Sequence, residues 1–132
     1  MSNATQDALK RATINGFHHV AILARNLECA VEFYGVTLGL PALPLPPDLE
    51  ACVCWFDLGD GNQLHVMKGE PSPDGRAHLA LEVSSAQAWR DYLTHQEIEF
   101  YEPDLQIPGK ARIFTTDPCG NLIELTEAPE RR

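Results

Sequence analysis

The stretch GNQLHV, residues 61–66, decides the fold, because it returns as GNLIEL at residues 120–125. Gly61 and Asn62 recur as Gly120 and Asn121, 59 residues on, and the place of His65 is taken by Glu124. The same offset links HVAIL, which begins at His19, to HLALE, which begins at His78. Ala21 then maps to Ala80, Ile22 to Leu81, Phe33 to Tyr92 and Trp55 to Phe114. One constant offset through strand-like and helix-like segments, without a gap, marks a tandem duplication. Repetition of this kind constrains the architecture before local propensity does. The copies run over residues 15–70 and 74–129 of a single domain, 1–132.

Both copies share one grammar. FHHVAILA (17–24) and AHLALEV (77–83) have strand length and strand patterning. A helical segment follows each. In NLECAVEFYGVTLG (26–39) Asn26 is the expected cap, with Leu27, Ala30, Val31 and Tyr34 at helical spacing. In SSAQAWRDYLTHQ (84–96) Ser84 or Ser85 is the cap, and Ala88, Trp89, Tyr92 and Leu93 form the apolar stripe. Three strands complete each copy. In the first they are a short one near Leu40–Leu43, then ACVCWFDL and NQLHVMK; in the second, EIEFYE, ARIFTT and NLIELTE. The expectation is an α+β fold of two tandem βαβββ modules. The Pro-rich LPALPLPPDLE (40–50) reads as a surface loop, and residues 1–13 and 128–132 as tails.

Bulk properties exclude several function classes. A net charge of −9 argues against nucleic-acid binding, which needs a basic surface, and suits a small-molecule or cationic ligand. No run of 18 apolar residues predicts a membrane span, and MSNATQDALKRATING lacks a signal-peptide core. The expected location is the cytoplasm. Cys29, Cys52, Cys54 and Cys119 contain no C-x-x-C pair and read as buried or half-buried thiols.

Strand alternation then sorts the polar residues. Val20 and Ile22 share one face and His19 the other; Leu79 and Leu81 oppose His78; Leu64 and Val66 oppose His65; Ile123 and Leu125 oppose Glu124. Two copies related by an approximate two-fold axis would bring His19 toward His78, and His65 toward Glu124. Three imidazoles and a carboxylate at one point make an N/O set for a divalent metal. Neither His18 nor His95 joins that set.

The phrases HHVAILARNLECAVEFYGVTLGL (18–40), GNQLHVM (61–67), AHLALEV (77–83) and DPCGNLIEL (117–125) resemble the vicinal oxygen chelate superfamily of glyoxalases, bleomycin resistance proteins and extradiol dioxygenases. The resemblance implies paired βαβββ modules in a half-open mixed-sheet barrel around a metal held by His19, His65, His78 and Glu124. It also implies a homodimer, with modules paired within a chain or swapped across the dimer. His65 stands where glyoxalase I-like proteins carry Glu or Gln. The set His19, His78 and Glu124 alone matches the three ligands of dioxygenases and fosfomycin-type thiol transferases. The expected function is a glyoxalase I-like isomerase or lyase using Zn, Ni, Fe, Co or Mn on a small oxygen-chelating substrate. Glu124 or His65 is the base and Arg112 the substrate-binding residue. The competing reading is a metal-free ligand-binding protein of bleomycin-resistance type. Tyr34, Trp55, Phe56 and Tyr101 are candidates for a pocket wall or the core.

Overall fold

The computed structural model describes residues 12–71, 76–105 and 107–127. It is an α+β fold with two open sheets. The first sheet contains β1 (His19–Ala24), β2 (Val53–Gly59) and β3 (Asn62–Lys68), in the order β1-β3-β2. The second contains β4 (His78–Glu82), β5 (Phe100–Tyr101), β6 (Arg112–Thr116) and β7 (Leu122–Thr126), in the order β4-β7-β6-β5. Each sheet has one parallel pair at one side, β1 with β3 and β4 with β7. The remaining pairs are antiparallel.

The register carries the 59-residue offset. His19 lies opposite Gln63 in the first sheet, and His78 opposite Leu122 in the second. Trp55 lies opposite His65, and Phe114 opposite Glu124. The first sheet is one strand short of expectation. Near Leu40–Leu43 there is an isolated bridge, Ala42 to Phe56, and no strand. Three prolines between Pro41 and Pro46 remove the N–H groups that a ladder requires. Its counterpart EIEFYE narrows to the two residues of β5.

Asn26 caps the first helix, accepting from the backbone N–H groups of Glu28 (2.8 Å) and Cys29 (3.2 Å). That helix begins as α1 (Leu27–Ala30) and widens over Val31–Thr37 into π-helical turns, where Leu38 N–H reaches the Phe33 carbonyl at 2.8 Å. Glycine permits its close approach to the sheet: a Cβ at Gly35 would stand 3.3 Å from the Phe56 ring. The second helix, α2 (Ala86–His95), is capped by Ser85, whose hydroxyl accepts from Ala88 N–H at 3.0 Å.

One hydrophobic core serves both sheets. Leu64, Val66 and Phe56 of the first meet Ile113, Ile123 and Leu125 of the second, with Phe33, Tyr34 and Leu93 from the helices. Fully burying each such side chain contributes about 1.5–3 kcal/mol. The core uses the aliphatic faces that alternation singled out, including Val20, Ile22, Leu79 and Leu81 at its margin. Tyr34 and Phe56 are therefore core residues, while Tyr101 is exposed. Cys54 is buried and Cys119 half-buried; Cys29 and Cys52 are exposed, unlike the expectation, because Cys52 precedes β2 and Cys29 lies on the outer side of α1. Among the described residues, no helix is long and apolar enough to cross a membrane.

Candidate metal centre

Module-one residues stack on the outer face of the first sheet. The His65 ring lies between two others: Trp55 at 4.6 Å and His19 at 4.0 Å, each inclined by 17°. Trp55 reaches it because it is the cross-strand partner of His65 on β2. His19 reaches it from β1, one parallel ladder away. Gln63, two residues before His65 and so on the same face, accepts a hydrogen bond from His65 Nε2–H at 2.8 Å. That leaves the Nδ1 lone pair of His65 uncommitted in this rotamer. His18 extends the group, its Nδ1 2.8 Å from His19 Nδ1, so one ring donates and the other accepts.

Burial holds the His65 pKa below its ordinary 6.5, and the nearby charges of His19 and His18 act in the same direction. A neutral imidazole is the form a metal takes. The sign for stability follows. A histidine with a depressed folded-state pKa resists protonation, so the unfolded chain binds the proton more readily below pH 6.5. We expect the unfolding midpoint in urea to fall between about pH 7.5 and about pH 5.5, and to fall less in His65→Gln. Identical pH slopes for wild type and variant would contradict this.

The second sheet carries the carboxylate. Glu124 is 4% exposed, and its Oε1 lies 3.0 Å from His78 Nε2. The other nitrogen of His78 is committed: Nδ1–H donates to the Arg76 carbonyl at 2.8 Å. A backbone carbonyl holding Nδ1 fixes the ring and turns Nε2 toward Glu124, which is how metal-binding histidines are oriented. His78 Nε2 and Glu124 Oε1 thus form a hydrogen-bonded pair of the nitrogen and oxygen donor types that a divalent metal accepts. Arg112 and Lys110 also face this carboxylate, with Arg112 Nη1 at 3.7 Å from Oε1 and Lys110 Nζ at 4.0 Å from Oε2. Arg112 lies over the Phe114 ring at 5.4 Å, as their alternation on β6 requires.

Within one chain the four expected ligands therefore form two pairs, His19 with His65 and His78 with Glu124. Among the described residues, no three His, Cys, Asp or Glu side chains are placed to hold one ion. Of the two pairings that the sequence left open, within a chain or across a dimer, the first is therefore not formed: inside this chain His19 does not meet His78, nor His65 Glu124. The physical reason is the shared core: both sheets give it their aliphatic faces, and the ligand faces are left as separate patches. His95 lies in the last turn of α2 and His18 beside His19; neither touches Glu124.

Several residues beside the candidate ligands have no role in the sequence reading, and spacing points to two of them. Gln63 is two residues from His65, and Lys110 two from Arg112. Asp117 is another, and its contacts join the halves. It is 5% exposed and accepts from Tyr34 O–H (2.6 Å), Cys119 N–H (2.9 Å), Asn121 N–H (2.9 Å) and Asn121 Nδ2–H (2.8 Å). Asn121 also donates to the Leu23 carbonyl at 2.7 Å. Burial, then the Asp117 charge, pushes the Tyr34 hydroxyl far above its ordinary pKa, so it stays a donor.

Residues 16–125 match the Glyoxalase/Bleomycin resistance protein/Dioxygenase superfamily. The chain belongs to that superfamily. No curated protein matches it. Among solved structures it resembles a glyoxalase family protein from Bacillus anthracis, with 33% identity over 89% of this chain and 98% of that one, and a TM-score of 0.77. A glyoxalase/dioxygenase from Nostoc punctiforme shares the fold at 22% identity, 88% and 92% coverage and a TM-score of 0.72. An antibiotic binding protein from Streptomyces sp. CB03234 shares it at 21% identity, 91% and 100% coverage and a TM-score of 0.74.

Proposed function

We propose that the chain is a divalent-metal-dependent enzyme, a glyoxalase I-like isomerase or lyase acting on a small oxygen-chelating substrate. The observation that carries this reading is the His78–Glu124 pair, with Nδ1 of His78 tied to the Arg76 carbonyl and Nε2 turned to the carboxylate. His19 and His65, at the register-equivalent positions of the first sheet, complete the set His19, His65, His78 and Glu124. Because the two pairs stand apart within a chain, the reading requires a homodimer. His19 and His65 of one subunit join His78 and Glu124 of the other.

A bound ion would supply Lewis-acid stabilisation of an oxyanion on two neighbouring substrate oxygens. The chain's own residues supply the rest. Glu124, sheltered from water, is the base that takes a substrate proton, with His65 the second candidate. Arg112 orients the substrate through its planar fork. Imidazole and carboxylate donors suit Zn, Ni, Co, Fe or Mn. The free thiols among the described residues suit the cytoplasm.

A second reading is a ligand-binding protein. The accessible Trp55–His65–His19 stack offers a flat surface for an aromatic ligand, and the −9 charge suits a cationic one. Elemental analysis separates the two. On protein purified without an affinity tag, we expect about one divalent metal per chain, lost in Glu124→Ala, since each ligand contributes a large share of the binding energy. No metal in either protein, and none taken up on addition, would overturn the enzyme reading in favour of the binder. Nickel, zinc or cobalt would point to an isomerase, iron to a dioxygenase.

A further inference from the structure

A groove of about 480 Å³ runs between the first helix and the turn after β6. None of His19, His65, His78, Glu124 and Arg112 lines it, so it is separate from the candidate metal centre. Its volume suits a small molecule, since ligand pockets span about 300–1,000 Å³. Phe33, Ile98 and Pro118 give it an apolar lining. Phe33 belongs to the π-helical stretch Val31–Thr37, and such turns are rare and recur at functional sites. Cys29, which is exposed, stands at the same groove.

The charge of the groove is one-sided. Glu28, Glu32 and Asp117 line it, with no Lys, Arg or His among the described residues that do. Arg25 is committed elsewhere, to Glu70 at 2.6 Å and to the Cys119 carbonyl at 3.2 Å. Asp117 already accepts hydrogen bonds from Tyr34, Cys119 and Asn121. Glu28 and Glu32 are exposed, and among the described residues neither side chain has a hydrogen-bond or ion-pair partner. They stand four residues apart, which sets two like charges on one helix face at a cost in stability. The other half of the repeat avoids that cost. There the same places hold Gln87 and Asp91, and Gln87 Nε2–H donates to Asp91 at 2.9 Å. Two unrelieved carboxylates beside an apolar groove are complementary to a molecule that is cationic at one end and apolar at the other.

We propose that this groove is a second ligand site that takes an arylalkyl ammonium, its ring on Phe33, Ile98 and Pro118 and its ammonium between Glu28 and Glu32. The metal centre plays no part in it, so this inference stands or falls apart from the function proposed above.

The probes are 2-phenylethylammonium and the neutral 2-phenylethanol, which share ring and chain. Each is titrated calorimetrically into the full chain, for wild type, Glu28→Gln, Glu32→Gln, the double Gln variant and Trp55→Ala. Glu28 and Glu32 are exposed, so the Gln variants are expected to fold. In parallel, alkylation of Cys29 and Cys52 by iodoacetamide is followed by peptide mass spectrometry. Wild type should bind the ammonium about five- to tenfold more tightly than the alcohol, since an exposed ion pair is worth up to about fivefold. Each single Gln variant should weaken ammonium binding about two- to fivefold, and the double variant should bring the two probes to within about twofold. At about ten times its Kd, the ammonium should slow alkylation of Cys29 about tenfold by mass action. Cys52, exposed and outside the groove, should keep its own rate.

Equal binding of the two probes, or ammonium binding untouched in the double Gln variant, would overturn the proposal. Binding that leaves Cys29 unprotected would overturn it as well, and its loss in Trp55→Ala would then place the cation on the Trp55–His65–His19 stack. Alkylation of Cys29 that slows as protein concentration rises, with no probe added, would show the groove covered by a second copy of the chain and overturn the proposal too.

Discussion

Replacing Asp117 by alanine is expected to lower the unfolding free energy by about 3–5 kcal/mol. The carboxylate is 5% exposed and accepts four hydrogen bonds, three from its own turn and one from Tyr34 across the molecule. Alanine leaves those donors behind. Tyr34 is fully buried, and its hydroxyl loses the acceptor it now has at 2.6 Å. The turn at Gly120, with φ of 93°, loses the side chain that ties Cys119 and Asn121 into it. Tyr34→Phe removes one donor with the acceptor that served it still bound elsewhere, so it should cost only about 1–2 kcal/mol. Urea unfolding with an unchanged m-value checks both. A loss below about 1 kcal/mol for the alanine variant would show that Asp117 does not join the halves as its contacts imply.

Mixing two inactive variants is expected to restore metal sites to about one quarter of the wild-type number, if the proposed centre is shared between subunits. His19→Ala spoils the contribution of the first half, and Glu124→Ala that of the second. Each homodimer then lacks a ligand at both centres. In a heterodimer one centre collects both defects, and the other collects neither. Random reassortment makes about half the dimers mixed, each with one intact centre of two, which gives the quarter. The measurement is metal content after unfolding the two proteins together and refolding them. No recovery would mean that each centre is built within one chain, and the shared-site reading would fall. The result does not depend on which metal binds, and the separate pairs His19–His65 and His78–Glu124 are the reason to expect it.

How far sequence carries differs between fold and site. The repeat at offset 59 is visible in the chain and reappears in the strand register, because side-chain alternation converts spacing directly into faces. The helix caps Asn26 and Ser85 were likewise legible, since a cap is a contact between residues two or three apart. Local rules failed where a partner had to be known. The Pro-rich segment near Leu40–Leu43 bridges the sheet at Ala42 without forming a strand. The first helix widens into a π-helix over Val31–Thr37, which its apolar spacing does not encode.

By itself the sequence determined the repeat, the strand faces, the α+β class and the residue types His19, His65, His78 and Glu124, all of them consequences of short-range periodicity. Only the tertiary structure decided how those faces are disposed. Hydrophobic burial is non-directional and says that the aliphatic faces must be covered, not by what. Here both sheets cover them in one core, so the ligands stand as two pairs, and Asp117 reaches Tyr34 while Lys110 and Arg112 gather at Glu124. The Asp117–Tyr34 contact joins residues 83 apart in the chain, and no spacing rule carries it.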